Sequence, residues 1–210
     1  MLTLYDCTTA PSPRRTRILL AEKGVKYDCK QIDLAKGEQM SEAFRAINPR
    51  CAVPALVTED NQVISENIAI AVYLESRFPN PPLLGTDAYS KAMVSEWNWR
   101  AEFEGLYAIA EILRNSSPHM KGRAMTGRKN IEQIPELAER GRLRIEMFWE
   151  DLDKQLQNHN YVAGPDFSVA DITAMVAVDF SRWVKVSPDE SFEALHKWHK
   201  SVSARPSAKA

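Results

Sequence analysis

The stretch Asn48-Pro49-Arg50-Cys51-Ala52-Val53-Pro54-Ala55-Leu56, continued by Ile64-Ser65-Glu66-Asn67-Ile68-Ala69-Ile70, decides the fold. Ala55-Leu56-Val57 reads as a short apolar strand that starts directly after a proline. A polar spacer, Thr58 to Gln62, leads to a second short apolar run, Val63-Ile64, and a helix opens at Ser65-Glu66-Asn67. A Val-Pro peptide at a strand entrance can be cis at modest cost, because the tertiary amide removes most of the trans preference. Pro54 withdraws a backbone donor, so the chain before it is free to pair with something outside its own sheet. The helix N-terminus presents unpaired N–H groups that attract a carboxylate, and Glu66 beside it can hold an ammonium. The segment suits a small zwitterionic peptide, with main chain at one end and a charged head at the other.

Upstream, Leu2 to Tyr5 reads as a strand and Thr8 to Pro13 as a loop. A helix is expected from Pro13 to Lys23, with Ser12 as N-cap, Pro13 at the first helical position and Gly24 as the stop. Val25 to Asp33 carries a second strand, parallel to the first given the crossover length. Gly37 to Ile47 holds a loop and a short helix, and the helix from Ser65 runs to Phe78. Downstream, Pro79-Asn80-Pro81-Pro82 can neither continue a helix nor join a central strand. Everything after it looks helical: Ala88 to Asn115 as one long helix, Pro135 to Asn158, Val169 to Val184, and a last helix bearing Phe192, Leu195 and Trp198. Ser168-Val169-Ala170-Asp171 has capping-box spacing. The Val169 helix is the most apolar and is expected at the centre of its domain, and the tail from Ala204 to Ala210 is expected to fray.

Val-Pro-Ala-Leu followed by Glu-Asn-x-Ala-Ile-x-x-Tyr-Leu resembles the glutathione-binding half of the cytosolic glutathione transferases. Phe167-Ser-Val-Ala-Asp-Ile172 and the ending from Trp198 to Arg205-Pro206 resemble that family's helical half. The resemblance spans nearly the whole chain, in the right order. Together with the pattern it implies a thioredoxin-like α/β domain of order βαβαββα over residues 1–80, a linker over 81–87 and an all-α domain over 88–210. It also implies that Val53, before cis-Pro54, pairs with the cysteinyl backbone of glutathione, while Glu66 and Asn67 hold the γ-glutamyl head. The chain departs from the family in having Asn67 where Ser or Thr is usual, and Cys51-Ala52 where Gly and often a polar residue stand. Asn can still donate to a carboxylate.

Composition narrows the class. Lys and Arg number 27 against 28 Asp and Glu, a formal charge of -1, which offers nothing to a nucleic acid or an anionic membrane surface. No apolar run approaches the roughly 18 residues of a membrane span, and the start lacks a signal-peptide layout. The 3 cysteines, Cys7, Cys29 and Cys51, are odd in number and form no Cys-x-x-Cys, which fits a reducing cytoplasm. The histidines show no metal-ligand spacing, so no metal is expected.

The chemistry required is thiol ionisation. Glutathione's thiol should titrate near about 8.5, and lowering that by two units takes roughly 2.7 kcal/mol of thiolate stabilisation. One hydroxyl donating to a charged acceptor gives about 1.5–3 kcal/mol, and a helix N-terminus adds about 0.3–1 kcal/mol. The family places the donor between the first strand and first helix, where this chain offers Tyr5, Cys7, Thr8, Thr9 and Ser12. Counting back from Arg17-Ile18-Leu19-Leu20, the position many members use falls on Ala10, which cannot donate. Ser12 is the first candidate and Thr9 the second. Lys36 and Gln39 lie where they can reach the glycine carboxylate of glutathione. Trp97, Arg100, Glu104 and Tyr107, along one flank of the first long helix, are candidates for the second-substrate pocket, with Arg100 favouring an acidic substrate.

The expectation is a cytoplasmic, homodimeric glutathione transferase that attacks an electrophilic, mostly apolar small molecule, in the manner of detoxification. The alternatives are glutathione-dependent peroxide or disulfide reduction, a non-enzymatic scaffold resembling the stringent starvation protein, and a carrier of apolar ligands.

Overall fold

The computed structural model describes residues 1–210. The chain divides into two compact units, one built on Met1–Pro81 and one on Pro82–Met125 with Asn130–Lys209.

In the first unit, four strands form one sheet in the order β2-β1-β3-β4. They are β1 (Leu2–Asp6), β2 (Tyr27–Gln31), β3 (Ala55–Val57) and β4 (Val63–Ser65). β1 runs parallel to β2 and antiparallel to β3, and β3 pairs with β4 as a hairpin. Alternation along β1 sends Leu2, Leu4 and Asp6 inward, as a two-residue period requires. Helix α1 (Pro11–Glu22) follows β1, α2 (Glu42–Ile47) follows a short 3-10 turn at Glu38–Met40, and α3 (Asn67–Arg77) follows β4. Ile18, Leu19 and Leu20 of α1 join Ile70, Ala71 and Leu74 of α3 among the core residues, beside Leu56. The buried Lys23 ties the ends of both helices together. Its Nζ donates to the carbonyls of Phe78 and Pro81, each at 2.8 Å, and pairs with Glu75 at 2.6 Å.

Helix α1 starts earlier than its sequence suggests. Ala10, not Ser12, is the N-cap, and Pro11 takes the first helical position. Proline's fixed φ suits that place, and the Ser12 hydroxyl is engaged elsewhere.

The second unit is helical. α4 (Ala88–Arg100), a π-helical turn at Ala101–Leu106 and α5 (Tyr107–Ser116) make one continuous but irregular helical run where a single regular helix was expected. α6 (Pro135–Leu156) packs along α5. The approach is close at Gly141, where an added Cβ would lie 2.8 Å from the Ala108 carbonyl, so only glycine fits. α7 (Val169–Ser181) is almost wholly buried, and α8 (Glu193–Ser203) packs on α6 and α7. Ser168 and Asp171 form the capping box at the mouth of α7. Asp171 also accepts from the Val162 amide and the Trp198 indole, each at 2.9 Å. Arg205 lies over the Phe167 ring, and the tail is not frayed: Pro206–Lys209 forms a 3-10 turn with Ser207 and Ala208 buried. No helix is long and apolar enough to cross a membrane.

Candidate active site

Strand register brings three loops to one end of the sheet. Tyr5, near the end of β1, pairs with Ala55 at the start of β3, and Ala55 pairs with Ser65 at the end of β4. The loop leaving β1, the loop entering β3 and the mouth of α3 therefore share that end. Two contacts confirm the convergence: Arg50 pairs with Glu66 at 3.2 Å, and Asn67 bonds to Ser12.

At the entrance to β3 the Val53–Pro54 peptide is cis. Val53 precedes the paired register, and its amide and carbonyl make no hydrogen bond within the chain. They are a short piece of unpaired strand edge, able to take an extended peptide. The approach is stiffened by Asn48, whose Nδ2 donates to the Ala52 carbonyl at 2.7 Å and whose Oδ1 accepts from the Arg50 amide at 3.1 Å.

At the mouth of α3, Glu66 is the N-cap residue, has φ 86° and gives no side-chain cap. The first intrahelical bond runs from the Ile70 amide to the Glu66 carbonyl. The amides of Asn67, Ile68 and Ala69 are thus left facing outward with the positive end of the helix dipole. Glu66 and Arg50 are both mostly exposed, and an exposed pair contributes at most about 1 kcal/mol. An incoming ammonium can displace Arg50 from Glu66 at little cost.

Asn67 itself is fully occupied. With the amide oriented to satisfy its neighbours, Nδ2 donates to the Ser12 carbonyl at 3.0 Å and Thr16 Oγ1 at 2.9 Å. Oδ1 accepts from Ser12 Oγ at 2.9 Å and Arg15 Nη2 at 3.0 Å. An amide has two donors and two lone pairs, so none remains for a ligand. Ser12 Oγ, which also accepts from Arg15 at 3.2 Å, has spent its proton on Asn67.

The β1–α1 loop presents Thr9 as exposed. Its Oγ1 lies 3.5 Å from Cys7 Sγ, a weak partner. Thr8 is committed, its hydroxyl donating to Gln31 Oε1 at 2.8 Å. Pro11 and Pro13 carry no N–H and the Ala10 amide bonds to the Cys7 carbonyl, so Ser12 supplies the free N–H at the mouth of α1. Tyr5 packs against Phe44 and sits beside Lys30. Gln39 stands on its own 3-10 turn with Oε1 buried and without a partner, an acceptor suited to a peptide N–H. Lys36 is paired with Asp33 at 3.3 Å.

In the second unit, Arg100 lies 4.4 Å over the buried Trp97 ring, donates to Glu104 at 3.0 Å, and pairs with Asp151. Partial burial pulls its pKa down, but the bonds and charges of Glu104 and Asp151 outweigh that and hold it above the ordinary value. Its charge is therefore spent within the unit. Tyr107 is exposed.

Sequence reasoning missed the Asn67–Ser12–Arg15–Thr16 cluster and the buried Arg17. The available signal was the polar run Arg14-Arg15-Thr16-Arg17 directly before Ile18-Leu19-Leu20. Arg15, Thr16 and Arg17 are all buried, which a solvated helix face would not require.

The glutathione S-transferase N-terminal domain family matches residues 9–77, and the C-terminal domain family matches residues 127–206. Glutathione S-transferase 2 of Saccharomyces cerevisiae is 33% identical over 208 residues, covering 98% of this chain and 87% of that protein. Among solved structures, Gtt2 from the same yeast superposes with TM-score 0.90 at 32% identity, covering 99% of this chain and 98% of that one. A glutathione S-transferase domain-containing protein from Marinobacter aquaeolei gives TM-score 0.91 at 30% identity, covering 98% of each chain.

Proposed function

This chain belongs to the glutathione S-transferase family, and from that premise we propose that it conjugates the glutathione thiolate to an uncharged, mostly apolar electrophile. The observation that carries this reading is the unpaired edge at Val53, set at the same sheet end as the open amides of α3. The cysteinyl backbone pairs with Val53, the γ-glutamyl carboxylate sits on the amides of Asn67, Ile68 and Ala69, and Glu66 exchanges Arg50 for the γ-glutamyl ammonium. Asn67 serves as a bracket between α1 and α3, and Gln39 Oε1 takes a peptide N–H.

Thiolate stabilisation falls to Thr9 and the Ser12 amide. The Ser12 hydroxyl was the favoured donor from sequence, but its proton is engaged by Asn67. The hydroxyl of Thr9 has only a thiol beside it, and a hydroxyl bonded to a charged acceptor gives about 1.5–3 kcal/mol. The thiol proton passes to water on ionisation, and the thiolate sulfur then forms the C–S bond, either expelling a leaving group with its bonding pair or adding to an electron-poor double bond whose other carbon takes a proton from water. Arg100 holds no charge in reserve for an acidic electrophile. A cytoplasmic setting fits glutathione as co-substrate.

We also assign a homodimer, through the exposed apolar side chains of Val63 on the edge strand β4 and Ile68 and Val72 on α3. Val72→Lys should shift sedimentation from dimer to monomer.

The test of activity is conjugation of glutathione to chlorodinitrobenzene. Turnover that Thr9→Val reduces about tenfold supports the reading. Tight glutathione binding without turnover favours a non-catalytic scaffold.

A further inference from the structure

The side chains around Thr8 form a closed polar ring. Arg17 Nη1 donates to Asp6 Oδ1 at 2.6 Å, in an ion pair with 9% and 1% side-chain exposure. Arg17 Nη2 donates to the Thr8 carbonyl at 3.1 Å. Gln31 closes the ring: its Nε2 donates to Asp6 Oδ2 at 2.7 Å. Its Oε1 accepts from the Thr8 amide at 2.9 Å and the Thr8 hydroxyl at 2.8 Å. The Ile32 amide donates to the Asp6 carbonyl at 2.7 Å and extends the β1–β2 ladder beneath it.

Thr8 is thus held at its amide, its hydroxyl and its carbonyl. That carbonyl belongs to the Thr8–Thr9 peptide, so Arg17 sets the plane from which Thr9 departs. The Ala10 amide, bonded to the Cys7 carbonyl at 2.9 Å, fixes the far side of the turn. We propose that Arg17 and Gln31 are positioning residues: together they orient the Thr8–Thr9 peptide so that the Thr9 hydroxyl and the Ser12 amide meet one sulfur. The inference rests on the assignment of Thr9 above.

A purely structural role for the ring is a weaker account. Gln31 lies on the edge strand β2 and is exposed, so its amide is not needed to fill the core. A buried ion pair is also poor evidence for stability, because well-packed apolar residues commonly do as well. What the ring does supply is a Thr8–Thr9 peptide held by hydrogen bonds at the Thr8 amide, hydroxyl and carbonyl, and small displacements of a reacting group are costly to rate.

The experiment compares Gln31→Met, Thr8→Ser, Thr8→Val and Thr9→Val in the full chain, with glutathione and chlorodinitrobenzene. The readouts are kcat, the KM for glutathione, the pH profile of kcat/KM and the melting temperature. Gln31→Met should lower kcat about tenfold, move the acidic limb of the profile upward by about half a unit or more, leave KM within about twofold and melt close to wild type. Thr8→Val should share the loss, and Thr8→Ser, which keeps the hydroxyl, should restore it. If Thr9→Val loses rate while Gln31→Met keeps the wild-type kcat and profile, the positioning role is overturned and the Thr9 assignment stands. A loss carried by KM alone overturns it in the same way. If Thr9→Val is itself indistinguishable from wild type, the assignment of Thr9 fails and the positioning role fails with it.

Discussion

Asn67 and Ser12 are joined by two hydrogen bonds, Nδ2 to the Ser12 carbonyl at 3.0 Å and Ser12 Oγ to Oδ1 at 2.9 Å, although 55 residues separate them. The pair fixes the mouth of α3 to the first turn of α1, so the two helix ends that face the sheet edge are set relative to each other before any ligand arrives. Asn67→Ala should therefore destabilise the protein as well as weaken glutathione binding. It removes four bonds at once, two of them to Ser12 and one each to Thr16 and Arg15. About 1–3 kcal/mol is expected, read by chemical denaturation, and saturating glutathione should recover part of it by binding the native state.

Ser12→Ala distinguishes bracket from nucleophile activator. The hydroxyl engaged by Asn67 should matter to the KM for glutathione and little to kcat. The pH profile of kcat/KM should stay where wild type has it, whereas Thr9→Val should move it upward. A kcat loss at Ser12 larger than that at Thr9 would return the thiol-facing role to Ser12.

Asp171 predicts a pH dependence of stability. Burial is the dominant influence and raises its pKa to about 6, against the opposing hydrogen bonds from Val162, Trp198 and Ser168. Between the unfolded value near 3.8 and about 6, the folded chain keeps a proton that the unfolded chain has released. The folded state binds more protons there, so stability falls as pH rises through that window. The change from this group is roughly 3 kcal/mol at most. Relative to Asp171→Asn, which cannot titrate, wild type should have its largest advantage near the acid end of the window and lose it toward neutrality. Unfolding curves at several pH values measure this; an advantage that grows with pH would show that the four donors dominate over burial.

What could be read from sequence was what is encoded locally. The capping box at Ser168 and Asp171 lies within one helical turn, and the structure has it in full. The Val53–Pro54 peptide, cis in the structure, and the β3–β4 pair beside it were legible only with the family resemblance added: a Val-Pro bond permits either isomer, and two three-residue strands are too short for periodicity to fix. The start of α1 was not legible. Pro11-Ser12-Pro13 offers Ser12 as a plausible cap, and only a partner 55 residues away, Asn67, explains why the hydroxyl is used otherwise and the helix opens at Pro11. The Arg17–Asp6 pair escaped for a related reason. A buried arginine in a helix reads as a solvated charge until the strand that carries its carboxylate is folded against it. The tail from Ala204 was expected to fray as chain ends do, whereas Arg205 stacks over Phe167, a partner distant in sequence, and Ser207 is buried.

Calorimetric titration of glutathione into wild type and Glu66→Gln tests the central claim, that a tripeptide pairs with Val53 and seats its charged head at the mouth of α3. Glu66 and Arg50 are exposed, so the variant should fold with wild-type stability to within about 1 kcal/mol. Wild type should bind with a single site, and Glu66→Gln should bind about tenfold or more weakly, the loss expected for one ammonium–carboxylate contact. Wild type that gives no heat at millimolar glutathione, or a variant that binds as tightly as wild type, contradicts the account.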